Sequence, residues 1–191
     1  MKILFCNIAW LDYYKGIYEG VDEPVGGGDY VKKTRDAHEK YNFEAIEIYG
    51  DEDKYCLGYV EVKGTKTSPG QLHIEKINGC EDMAGADSVD DVLVVYCAKH
   101  PAHNFTTVVG WYEHATVYRY YQEMHFSSDN PDEADVYVQH YNAIAKAMTV
   151  FCFQEGKEAF TASGPYRAEP PVRHTASANR TSGMPTRITS Y

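Results

Sequence analysis

Val108 to Arg119 reads VVGWYEHATVYR. An apolar run enters Gly110, a Trp-Tyr pair follows, and Thr116–Arg119 resumes a β-favouring pattern. Gly, Glu and His between two such runs read as a turn. The stretch therefore predicts a strand at Thr106–Trp111, a turn, and a second strand at Thr116–Tyr121. On this reading Trp111 stands just past a strand end, either in the core or in a pocket wall.

Working outward, Asp91–Cys97 is the strongest buried strand and Lys2–Ile8 is the first. Glu44–Tyr49 and Tyr55–Val62 flank the turn signal Gly50-Asp51-Glu52-Asp53. Gln71–Ile77 alternates like a half-buried strand. Glu81–Ala86 or Ser88–Asp91 fits a short helical turn, and His100–Asn104 is a turn around Pro101. Residues 15–40 read as irregular, and Gln122–Asp135 as a polar loop. Val136–Ala145 alternates moderately and Met148–Phe153 is apolar. With seven or eight short strands and few helices, the chain is expected to be mainly β (α+β). A curved sheet or small barrel fits. One domain is expected over residues 1–160. From 161 to 191 the chain is Ser, Thr, Pro, Ala and Arg with few large aliphatics, and reads as a linker or disordered tail.

The charge is uneven. Residues 1–156 hold 13 Lys/Arg and 26 Asp/Glu, and residues 157–191 hold five and two, within a net charge of -10. An acidic body repels a phosphate backbone, so non-specific binding of nucleic acid over the whole surface is disfavoured. A local pocket for one base or one small ligand is allowed. No apolar run reaches the ~20 residues that span a bilayer, and MKILFCNIAW is interrupted by Asn7. A cytoplasmic protein is expected. The five cysteines are separated and mostly within apolar runs, which argues against a disulfide framework or a cysteine zinc site.

Candidate chemistry is sparse. The run VGGGDYVKK, Val25–Lys33, lacks the GxxxxGK[ST] spacing of a phosphate loop, so a flexible loop is the plainer reading. Asp29 and Tyr30 beside it make a ligand-facing loop plausible. His100 and His103 are separated by Pro101, which opposes a metal-binding helix, and no metal or cofactor is expected. In His38–Phe43, Asn42 carries donors and acceptors suited to a base edge. Trp10, Trp111 and Tyr112 offer ring faces on which a flipped base stacks.

Several segments together resemble the N-terminal EVE-like (PUA-superfamily) reader domains of modification-dependent HNH restriction endonucleases. They are MKILFCNIAW, GGGDYV with HEKYNF downstream, LGYVEV, DDVLVVYCAKHP and VVGWYEHATVYR, with a weaker match at 140–160. The resemblance spans roughly residues 1–160, and GWY-x-x-ATVYR is its most specific element. It implies a PUA-like β-barrel that holds a modified cytosine of DNA in an aromatic pocket. By motif position the implied pocket residues are Trp10, Asp29, Tyr30, Asn42, Phe43, Trp111 and Tyr112. The 191 residues show no HNH histidine pattern, so this chain alone is expected to be non-catalytic. The resemblance places a nuclease beyond the tail in relatives. A truncated reader, a stand-alone one served by a nuclease in trans, and one that has lost its function all stay open. Two departures stand out, the polar loop at 122–139 and the acidic body. A small enzyme acting on a neutral or cationic molecule and a protein-interaction domain are the competing readings.

Overall fold

The computed structural model describes residues 1–65, 70–126, 137–153 and, for the backbone alone, 160–161. The expected tail, apart from Thr161, lies outside them. Among the described residues eight strands form one mixed sheet: β1 (Lys2–Ile8), β2 (Ala45–Glu47), β3 (Lys54–Gly58), β4 (Ser88–Lys99), β5 (Thr106–Phe126), β6 (Tyr137–Lys146), β7 (Val150–Cys152) and β8 (Phe160–Thr161). The order is β1-β4-β5-β6-β3-β2, with β7 on β5 and β8 on β7. Among these strands only β1 and β4 run parallel. The expected mainly β class is what is found, as a sheet that does not close into a barrel.

VVGWYEHATVYR is not a strand pair. It lies inside β5, one strand of 21 residues. The Glu113-His114 break is a bulge: His114 takes φ 54°, and the β4 pairing slips there by one residue. A facing bulge in β4 places Asp91 at φ 59°. His114 Nδ1 and Asp91 Oδ1 meet at 2.7 Å, and Thr116 Oγ1 donates to Asp90 Oδ1 at 2.6 Å. Each bulge moves the core positions by one: Val89 to Val92 in β4, Tyr112 to Ala115 in β5. The buried face therefore runs on unbroken. The length of β5 lets it pair with β7 over Gly110–Tyr112 and with β6 over Thr116–Phe126.

The main core lies on one face of this sheet. Val92, Val94, Tyr96, Tyr112, Ala115 and Val117 are fully buried there under Leu11, Tyr14 and Phe43. Phe43 is the hub: its ring meets Tyr14, Tyr96 and Tyr112 edge-on at 5.4, 5.6 and 5.8 Å. Gly110 makes room for it, since a Cβ there would lie 2.5 Å from two ring carbons of Phe43. Four cysteines are buried and reduced, and burial raises the thiols of Cys6 and Cys152 to about 12. They behave as small apolar side chains.

Two local expectations are corrected. Gln71–Ile77 holds a 3-10 turn at Ile74–Lys76, its alternation coming from Leu72, Ile74 and Ile77 turning toward the core. Ser88–Asp91 is the start of β4, and successive turns close at Cys80, Met83 and Ala86. Arg119, the last residue of the opening stretch, ties this 70–88 excursion to β5. Its guanidinium donates to Ala86 O, Met83 O and Glu75 Oε2, and its backbone joins Leu72 and Asp87. The Glu75 backbone N–H, the His73 ring and Arg119 together hold the Glu75 carboxyl down at about 2. A depressed carboxyl contributes stability that is present above its ordinary 4.5 and lost as pH falls toward 2. Amide exchange of Leu72 and Ile77 is therefore expected to quicken between about pH 5 and about pH 3 beyond the change in intrinsic exchange rate. Glu75→Gln should flatten that dependence; the same pH profile in the variant would rule the Glu75 link out.

Candidate functional site

Residues 15–40 hold more structure than their glycines suggest. Trp10 and Val25 exchange both backbone hydrogen bonds, at 2.8 and 2.9 Å, which brings the glycine run against the end of β1. Gly26, Gly27 and Gly28 all take positive φ, at 86°, 71° and 79°. A Cβ on Gly27 would lie 2.9 Å from Ala9 Cβ, so the chain packs closely here. It then turns into α1 (Gly28–Thr34), whose one buried residue is Val31. A 3-10 turn follows at His38–Tyr41. Glu39 Oε1 fixes that turn by accepting the Ala9 N–H at 2.7 Å. Buried Asp22 accepts the N–H groups of Asp12 and Tyr13 at 2.7 and 3.0 Å, and its burial raises its carboxyl pKa.

These segments build a row of five rings. Tyr30 of α1 stacks on His38 at 4.9 Å and 20°. His38 meets Tyr59 at 5.1 Å, and Tyr59 stacks on Tyr121 of β5 at 5.0 Å and 6°. Tyr121 meets His140 of β6 at 6.5 Å. The Tyr30 end is open: Tyr30 is 42% exposed and His38 is exposed, whereas Tyr59 is 8% exposed. Burial, and then the hydrogen bond with Tyr121, hold the Tyr59 phenol far above its ordinary range, so it stays neutral.

Two asparagines fix the middle of the row. Past β3 the chain leaves the sheet, and its peptide groups need other partners. Asn42 supplies them for Tyr59, accepting its N–H and donating to its C=O, both at 2.9 Å. Asn142 does the same for Val60, at 3.2 and 2.8 Å. The Tyr121 hydroxyl donates to Val60 O and accepts the Val62 N–H.

The seven residues singled out by the sequence divide. Tyr30 stands in the ring row with Asp29 beside it, exposed, on α1. Trp10 is tied to the glycine run, donates its indole N–H to Asp12 Oδ1 at 3.0 Å and packs on His100 at 4.6 Å. Asn42, Phe43 and Tyr112 form one fully buried group, in which the Tyr112 hydroxyl donates to Asn42 O. The side-chain oxygen and the NH2 of Asn42 are both engaged by the Tyr59 backbone. Trp111 is mid-strand, not past a strand end, and successive strand residues face opposite ways. Its ring stacks on Phe151 at 5.0 Å and meets Phe153 at 5.2 Å, while Tyr112 faces Phe43. Trp111 and Tyr112 therefore do not share a wall.

Sequence reasoning missed Tyr59, Tyr121, His140 and Asn142, and reached His38 only as the first residue of His38–Phe43. The row joins five separate segments, and no spacing along the chain signals it. Among the described residues no group of three or more His, Cys, Asp or Glu is placed to hold a metal ion, and no helix is long and apolar enough to cross a membrane. The fold and site together describe a mainly β protein with an open sheet and an aromatic row running out to its surface. Comparison with protein-family models, curated proteins and solved structures returns no match.

Proposed function

We propose that this chain is a binding module that accepts a modified nucleobase of DNA, a modified cytosine by resemblance, on the open end of the ring row. The observation that carries the reading is the Tyr30–His38 stack, parallel to within 20° and exposed, backed by three more rings, of which Tyr59 is fixed by Asn42. A planar base gains stacking on such a surface, typically ~1–3 kcal/mol per base. Asp29 offers a carboxylate beside the stack for an exocyclic amine. Trp10 borders the same glycine run. Trp111, on the far face of the sheet, plays no part in this site.

The test is a binding screen of oligonucleotides with modified and unmodified cytosines, at several salt concentrations. Tighter binding of a modified oligonucleotide is expected. Tyr30→Ala should weaken it by about tenfold or more without lowering the thermal midpoint, because the ring is half in solvent. Equal affinity for both oligonucleotides would end the reader proposal. Binding unchanged in Tyr30→Ala would remove the site from this end of the row.

The far face favours a second reading as a protein-interaction domain. Phe5, 69% exposed, pairs in register with Val95, which pairs with Trp111, which pairs with Phe151. That is an apolar strip across four strands. Trp111→Glu would leave base binding intact under the first reading and abolish the function under the second.

A further inference from the structure

We infer that α1 and the turn after it are the phosphate-contacting element of the module, with Lys32, Lys33 and Arg35 gripping the DNA backbone on either side of a base held at Tyr30. The inference rests on the base-binding reading and adds where the nucleic-acid chain runs. It begins from a conflict. Residues 1–156 hold twice as many acidic as basic side chains, so a phosphate chain is repelled over most of the body. A DNA reader built on such a body needs its cations concentrated beside the base.

Among the described residues that concentration is found on α1 and the turn after it. Residues 28–40 carry four cations and three anions. Two of the anions are occupied: Asp36 pairs with Lys40 at 2.6 Å, and Glu39 accepts the Ala9 amide. Lys32, Lys33 and Arg35 remain, all exposed and in no ion pair with a described residue. Helical spacing puts Lys33 on the stack's side of α1. Val31 turns into the core, and Tyr30 and Lys33, three apart, lie along one flank. Lys32 lies on the other flank. Arg35 takes φ 54° as the helix ends, and three residues later the chain returns to His38, the ring beneath Tyr30. The loop between the two stacked rings thus carries a cation at its corner. Of the cations on other segments, Lys54 pairs with Glu47, Lys146 with Asp53 and Arg119 with Glu75, and Lys2 donates to Asp90 O. Lys63, Lys76 and Lys99 form no ion pair with a described residue, and they lie on segments other than α1 and the turn after it.

Three phosphate contacts give a salt signature of their own. The slope of log affinity against log salt should be about -3 on duplex DNA, since each neutralised phosphate adds about -0.9. The experiment measures the intact chain with a modified oligonucleotide and with the free modified nucleoside, which has no phosphate. For the triple variant Lys32→Ala, Lys33→Ala, Arg35→Ala, oligonucleotide affinity is expected to fall about 100-fold at about 0.1 M salt, with the slope near zero. Nucleoside affinity and the preference for the modified base should be retained, and Lys76→Ala serves as a cation control that changes neither. If the triple variant keeps the wild-type slope while the nucleoside still binds Tyr30, the phosphate element is overturned and base binding stands. If the wild-type chain binds neither probe, base binding fails and the phosphate element with it. A thermal midpoint equal to wild type separates lost contact from lost folding.

Discussion

Gly110→Ala is expected to lower the stability of the fold by about 3 kcal/mol or more, at the upper end of what overpacking costs. The new methyl has two obstacles. One is the Phe151 carbonyl oxygen; the other is the Phe43 ring, two of whose carbons lie at 2.5 Å. The carbonyl belongs to β7, which pairs with β5 at this point, so it moves only by disturbing Gly110↔Cys152 and Trp111↔Phe151. The ring is fully buried between Tyr14, Tyr96 and Tyr112 and has no free direction. Ala is favoured over Gly in a strand by only about 0.5–1 kcal/mol, too little to offset the clash. Chemical denaturation should show a lower midpoint with an unchanged slope. Phe43→Leu should be less damaging on the Gly110→Ala background than on the wild type, because a smaller side chain relieves one of the two contacts. A Gly110→Ala chain within about 0.5 kcal/mol of wild type would refute the packing account.

The second large effect is expected at Asn42. Asn42→Ala leaves the N–H and C=O of Tyr59 without their partners in a site that water does not reach. Each unsatisfied group costs about 1–3 kcal/mol, so about 2–6 kcal/mol is expected for the pair. Asn42→Asp is the sharper probe. It keeps the shape and still accepts the Tyr59 N–H, but it sets an oxygen against the Tyr59 carbonyl and buries a charge. Its loss should be as large near neutral pH and should lessen as pH falls and the carboxyl takes a proton that it can donate. Fluorescence-detected unfolding at several pH values checks both. Full stability in Asn42→Ala with weakened oligonucleotide binding would return Asn42 to the role of reading a base edge.

Much of the sheet is legible in the sequence. β1 and β4 announce themselves as apolar β-branched runs, and the first matches its expected limits. β5 is harder, because Gly110, Glu113 and His114 carry the composition of a turn. Gly110 serves packing instead, and His114 is absorbed by a bulge whose counterpart sits 23 residues earlier in another strand. Helix α1 is hidden for a different reason. Seven residues with one buried side chain show no period, and the helix is held by Val31 and the close approach of Gly27 to Ala9. Gln71–Ile77 misleads because three apolar residues turning inward from a tight loop mimic alternation. Within the site, Tyr30 and Asp29 stand out beside the glycine run. The rings behind Tyr30 do not, since Tyr59 meets Tyr121 across 61 intervening positions, and asparagines from two further segments hold Tyr59 and its neighbour Val60.

The facing bulges at Asp91 and His114 have a genetic corollary. Val89 pairs with Val117 and Val94 with Tyr112, so the offset between β4 and β5 is the same on both sides of the irregularity. The two extra residues cancel as a matched pair of frameshifts would. Loss of Asp91 alone would leave Val89, Asp90 and Val92 in plain alternation, and loss of His114 alone would do the same for Tyr112, Glu113 and Ala115. Either way Val92 stays opposite Ala115, and Tyr96 and Tyr112 keep facing Phe43. At this point in the chain, single-residue deletions are expected to be tolerated, and neither needs a suppressor in the other strand.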